Sequence, residues 1–182
     1  MAKTNDVRSL LKAHDQASRA VEGAAGGGGD LPLGTYQCVV EEPSKSTMIH
    51  QDKDNAVRAR VLLKVVACAD EDYVGRSQSK SWNLISAEGD LDETGVSYFK
   101  KDMKTMGVEI EGIGDADETM PGIIGAVVEI SVQESKGDAT RSDGTPYVNV
   151  YINNLITPAS QAAGRTKKTA PKKSTAGRGA KY

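Results

Sequence analysis

From Val57 to Val65 every second residue is apolar: Val57, Ala59, Val61, Leu63 and Val65 share one parity. Arg58, Arg60 and Lys64 share the other, with Leu62 and Val66 interrupting them. Successive side chains of a strand point to opposite faces, so this spacing predicts a β-strand with one dry side and one wet, cationic side. The pattern returns in Ala126, Val128, Ile130 and Val132, and again in Val148, Val150 and Ile152. Tyr147, Asn149, Tyr151 and Asn153 oppose the last set. Strands of this kind must gather their apolar faces around one core, and clean alternation is the mark of antiparallel sheets. The chain is read as mainly β.

Two further runs complete five strands. "LGTYQCVVEE" comes first, and "DYVGRSQSKSWNLI" comes third, with Gly75 marking a bulge or bend. One helix is expected between the third and fourth strands, in "LDETGVSYFKKDMKTMG". Asp92 can cap it, Val96, Phe99, Met103 and Met106 fall on one side, and Gly107 is a natural stop. "EIEGIGDADETMPG" reads as an acidic loop, "SKSTMIHQDKDN" as the loop before the second strand, and "KGDATRSDGTP" as a polar hairpin loop.

The body so defined spans residues 31–156. Residues 1–22 read as an amphipathic helix capped at Asn5 or Asp6, with Val7, Leu10, Leu11, Ala17 and Val21 as its apolar stripe. Residues 23–30 contain four consecutive glycines, which lose too much backbone entropy to hold a regular element. The helix is therefore expected to be tethered. It has three places to dock: the body, a partner, or a second copy, in which case it would make an oligomer. Residues 157–182 have almost nothing to bury and are expected to be disordered.

Three strands, a helix and two strands is the element order of the five-stranded OB-fold, a Greek-key barrel, although split sandwiches and small α+β domains share it. The body also resembles a family of small phage proteins. These are formally of unknown function, occur beside recombination and replication genes, and are regarded as OB-fold, single-stranded-DNA-binding-like. The similar pieces are "LPLGTY", "RVLLKVV", "YVGRSQSKSWNL", the helix ending "MKTMGV", "MPGIIGAVVEISV" and a closing strand after a Gly-rich loop. The resemblance implies binding of single-stranded DNA in the cytoplasm of a bacterial host, with phage replication or recombination proteins as further partners. Many single-strand-binding proteins end in an acidic, partner-recruiting tail; this chain ends in "RTKKTAPKKSTAGRGAKY", of opposite sign.

That tail carries seven Lys or Arg and no acid, so residues 1–156 hold 16 basic and 25 acidic groups, a balance of −9. A basic tail on an acidic body favours a polyanion partner touched by Lys167, Lys168, Lys172 and Lys173, the alternative being a solubilising extension. On the body, cations suited to a phosphate backbone are Arg58, Arg60 and Lys64 on the second strand, Arg76 and Lys80 on the third, and Arg141, Lys45, Lys53 and Lys136 in the rim loops. Rings suited to stacking on bases are Trp82, Tyr147 and Tyr151. Each has a structural alternative. The second-strand cations are also what any half-solvated strand carries, Trp82 shares parity with Leu84 and so with the core, and the tyrosines can pack under the helix or in a dimer seam.

Cys38 and Cys68 lie in apolar runs and read as reduced, buried small hydrophobes, without a Cys-x-x-Cys pair. No secretory signal core and no membrane-spanning run is expected. His14 and His50 have no orienting partner nearby, and no phosphate-binding glycine loop occurs. The acidic clusters at 52–55 and 115–118 lack the spacing of a calcium loop. A non-enzymatic protein without cofactor or metal is expected. The alternatives are a protein-interaction scaffold with an OB-like body and, more weakly, a nuclease.

Overall fold

The alternating run becomes the longest strand of one antiparallel sheet. In the computed structural model, which describes residues 7–15, 17, 31–44, 46–137, 140 and 144–159, the elements are α1 (Val7–Ala13), β1 (Gly34–Glu41), β2 (Ile49–Gln51), β3 (Val57–Cys68), β4 (Ser77–Ile85), α2 (Glu93–Thr105), α3 (Ala116–Thr119), β5 (Val127–Glu134) and β6 (Val148–Thr157). β3 pairs with β4 along one edge and, along the other, with β2 through residues 57–59 and β1 through 62–68. β1 then pairs with β5, and β5 with β6. All of these pairings are antiparallel.

The five apolar residues of β3 are buried, as are Ala126, Val128, Ile130 and Val132 ahead of and along β5, and Val150 and Ile152 of β6. α2 starts where the cap was expected: the Asp92 carboxylate accepts a hydrogen bond from the Gly95 N–H at 2.7 Å. Val96, Phe99, Met103 and Met106 turn to the core. The helix lies so close to β4 that a Cβ at Gly95 would stand 1.9 Å from the Asn83 carbonyl oxygen. Any side chain there would push α2 off the sheet.

Four expectations need correction. The sheet is open: among the described residues β4 pairs only with β3 and β6 only with β5, so no backbone ladder closes a barrel. α2 touches both edge strands, and the Lys80 ammonium donates to the Val150 carbonyl at 2.7 Å. Side chains thus span the seam where a backbone ladder would otherwise run. The loop before β3 contains a sixth strand, β2. "DYVGR" is not strand but a 3₁₀ turn capped by Asp70 and followed by Gly75 at φ +86°, a left-handed conformation that glycine adopts without strain. The acidic loop is partly core: it carries α3 and two 3₁₀ turns, and it buries Ile110, Ile113, Ala116, Met120 and Ile123.

That segment also receives the N-terminal helix. Leu11 is fully buried, the Asp15 carboxylate accepts from the Gly114 N–H at 2.6 Å, and Arg8 pairs with Glu118. Of the three docking places expected for α1, the structure has it on the body. Among the described residues no helix is long and apolar enough to cross a membrane. Cys38 is buried, with its thiol pushed up to about 12 by desolvation, while Cys68 is half-buried. The glycine linker at 23–30 and the tail beyond 159 lie outside the described residues.

Candidate functional site

β3 and β4 build one outer surface. The register sets Arg58 opposite Asn83, Arg60 opposite Ser81, Leu62 opposite Ser79 and Lys64 opposite Ser77. The β4 partners are short and uncharged, so long cationic side chains from β3 can lie across them. The residues of the opposite parity, Gln78, Lys80, Trp82 and Leu84, face the core, because a strand alternates without interruption from 77 to 84. At the far end Arg76 is exposed and its guanidinium stacks 4.8 Å from the Tyr73 ring centre. Tyr73 in turn meets Tyr36 edge to face, with ring centres 6.4 Å apart.

The cations of this face are not equally available. Arg58 is held by Asp52, by Asp54 at 3.2 Å and by the Asn83 side-chain oxygen at 2.9 Å. Lys64 stands 3.8 Å from Glu41. Arg60 makes no ion pair among the described residues, and its Nε is buried without a hydrogen-bond partner. His50 sits beside it on β2 with Nε2 3.1 Å from Asp52. Burial first, and then the charges of Arg60 and Arg58, hold the imidazole below its ordinary range, which favours the neutral ring.

Lys80 and Trp82 are not on this surface. Lys80 and Trp82 are buried with their polar hydrogens spent on Asp102 and the Val150 carbonyl and the indole packed on Phe99, so the one does not track a backbone and the other presents no free ring face to a base. They belong to a buried constellation centred on Asp102 of α2. One carboxylate oxygen takes both the Lys80 ammonium at 3.1 Å and the Trp82 indole N–H at 2.8 Å. The Lys80 ammonium lies 5.3 Å from the Trp82 ring centre, and the indole packs edge-on against Phe99. Burial pushes the ammonium down and the carboxyl up, and the partner's charge opposes each shift. Removing two charges from water is offset only by such dense pairing. The constellation ties β4, α2 and β6 together at the seam.

The tyrosines of the last strand separate. Tyr147 precedes β6 and is 48% exposed. Tyr151 is half-buried on the wall of a polar groove of about 500 Å³ between α2 and β6, with Lys101, Thr105, Ser131, Gln133 and Asn153. A smaller hollow of about 320 Å³ lies on the other flank of α2, lined by Ser81, Asn83, Thr94 and Tyr98. Lys53 and Lys136 are exposed in their loops. Arg141, Lys45, Lys167, Lys168, Lys172 and Lys173 lie outside the described residues.

Tyr73, Tyr98 and Lys101 were not singled out from sequence, and Asn153 only as part of the wet side of the last strand. Tyr73 carried a signal, since Tyr and Arg three residues apart around Gly75 can stack across a turn. The groove carried none, because its two walls come from elements some 50 residues apart. No protein-family model, no curated protein and no solved structure matches the chain.

Proposed function

We propose that the chain is a non-enzymatic single-stranded DNA-binding protein with an OB-type body. The observation that carries this reading is the β3–β4 face. Arg60, Leu62 and Lys64 lie over a row of serines, ended by an arginine stacked on a tyrosine. Cations track a phosphate backbone and a guanidinium stacked on a half-buried ring offers a plane to a base, a combination that suits single strands better than duplex. The strand pairing supports the finer fold. β1–β3–β4 and β1–β5–β6 reproduce the neighbours of a five-stranded Greek-key barrel, with β2 added and α2 bridging the last gap. The resemblance to phage proteins adds a setting, replication or recombination in a bacterial cytoplasm.

The test is a titration of labelled dT oligonucleotides at two salt concentrations. Arg60→Ala with Lys64→Ala is expected to weaken binding at all salts. Replacing Lys167, Lys168, Lys172 and Lys173 by Gln should leave binding by the body and flatten the salt dependence by about 0.7 log units per lost phosphate contact. No binding by the intact chain at low salt sinks this function and leaves the scaffold reading, in which the outer side of β6 meets a protein.

A further inference from the structure

The polar groove between α2 and β6 has no part in the β3–β4 face, and its chemistry is unusual for a surface hollow. Its floor includes Asp102, a carboxylate only 2% exposed and held in position by Lys80 and Trp82. One wall is a chain of neutral side chains with loose mutual bonds: Gln133 donates to Ser131 at 3.2 Å, and Ser131 donates to Asn153 at 3.3 Å. Such lengths lie at or beyond the long end of useful hydrogen bonds, so a ligand can take these groups over at little cost. Among the described residues the Tyr151 hydroxyl has only a 3.4 Å contact from the Asn149 amide. Lys101 and Lys136 are exposed at the rim.

An apolar peptide or a lipid chain would find little to bury among amides, hydroxyls and ammonium groups. A planar, polar ring on a phosphate chain matches them: a phenol to stack on, amides and hydroxyls for its edge, lysines for its phosphates. A carboxylate at the floor selects among rings. It accepts from an exocyclic amino group and repels a carbonyl oxygen, which distinguishes cytosine from thymine.

The geometry points to this groove as a second nucleic-acid contact, a pocket for one unstacked base carrying an exocyclic amino group, walled by Tyr151 and Asn153 above the Asp102 carboxylate. It rests on the proposed single-strand binding and gives it a base preference read at a place separate from the β3–β4 face.

The experiment uses the full chain with dC and dT oligonucleotides of about 15 nucleotides, within the span of one such fold, at one salt concentration. The two pyrimidines differ at the edge the floor would read. dC is expected to bind about ten-fold tighter, the scale of one hydrogen bond to a charged acceptor. Asn153→Ala and Tyr151→Ala, both away from the core constellation, should shrink that ratio toward one, whereas Arg60→Ala should weaken dC and dT alike. Photo-crosslinking of 5-iodo-dC oligonucleotide, read by mass spectrometry, needs no variant and should mark the peptide containing Tyr151. Equal affinity for dC and dT, or crosslinks confined to β3, β4 and Tyr73, overturns the pocket and leaves the proposed function standing. Failure of both oligonucleotides to bind overturns both.

Discussion

Two cation–carboxylate groups hold this sheet, and the difference between them that matters most is access to water. At the β2–β3 corner Arg58 is gripped by Asp52, Asp54 and Asn83, with side chains 30%, 24% and 53% exposed for the three charged residues. At the β4–β6 seam Lys80 is gripped by Asp102 and the Val150 carbonyl, with side chains 0% and 3% exposed for the two charged residues. The first is a set of contacts that solvent can replace. The second leaves its partner nowhere to go if one member is lost. Contact number is similar in the two, so burial decides which group the fold depends on.

The sharpest way to break that contrast is Lys80→Ala. It leaves the Asp102 carboxylate without its cation at the buried foot of the α2–β6 groove, and a loss of about 3–5 kcal/mol is expected in urea unfolding. Lys80→Met with Asp102→Leu removes both charges at similar volume and should recover more than half of that loss. A Lys80→Ala loss below about 1 kcal/mol would mean the seam is wet and the contrast false. Trp82→Phe keeps most of the ring packing against Phe99 and removes one donor from Asp102. Its expected cost is smaller, about 1–3 kcal/mol, measured in the same way.

From sequence, Lys80 stands among the cations for a phosphate backbone and Asp102 is passed over, yet the residues carry a signal for the seam. Lys80 shares its parity with Trp82 and Leu84, and Asp102 stands three residues after Phe99 and one before Met103 on the apolar side of its helix. A lone cation on a dry strand face and a lone carboxylate on a dry helix stripe are each improbable, and together they read as a pair. The strand alternation, the cap at Asp92 and the stop at Gly107 were also legible, because period and cap are local properties. β2 was not: three residues paired to a long neighbour carry no periodicity. The acidic segment misled for a different reason. Its buried Ile110, Ile113, Ala116, Met120 and Ile123 recur every three or four residues, a helical spacing, but Gly112, Gly114, Pro121 and Gly122 interrupt it and the intervening carboxylates mask it. The face that could bind a single strand was visible as Arg58, Arg60 and Lys64, but the neutralisation of Arg58 depends on a hairpin whose geometry no spacing encodes.

The exposed corner predicts a weaker, pH-dependent effect. His50 has a depressed pKa in the fold, caused first by burial and then by Arg60 and Arg58. The unfolded chain then binds more protons than the folded one between the depressed value and about 6.5. The His50 contribution to stability should therefore rise with pH through that window, be fully present above about 6.5, and be lost as pH falls through the depressed value. His50→Gln should remove that part of the slope, so that the wild-type urea midpoint falls relative to the variant's as pH drops through the window. Parallel curves for the two proteins would show that the corner does not bury the ring.

The smallest stability change is expected for Arg58→Gln, within about 1 kcal/mol, because water can solvate the Asp52 and Asp54 carboxylates that it leaves. That near-silence is what makes the corner useful. An arginine whose partners are replaceable by water also has partners replaceable by phosphate, while one locked as Lys80 is locked does not. Asp52→Asn with Asp54→Asn should therefore leave folding nearly unchanged, remove two like charges from the path of a polyanion, and release Arg58 beside Arg60. Under the proposed function, oligonucleotide affinity rises and its salt dependence steepens by about 0.7 log units, one additional phosphate contact. Unchanged affinity and slope would mean that the strand does not pass this end of β3. The working part of the face would then be Lys64, Arg76 and Tyr73 at the other.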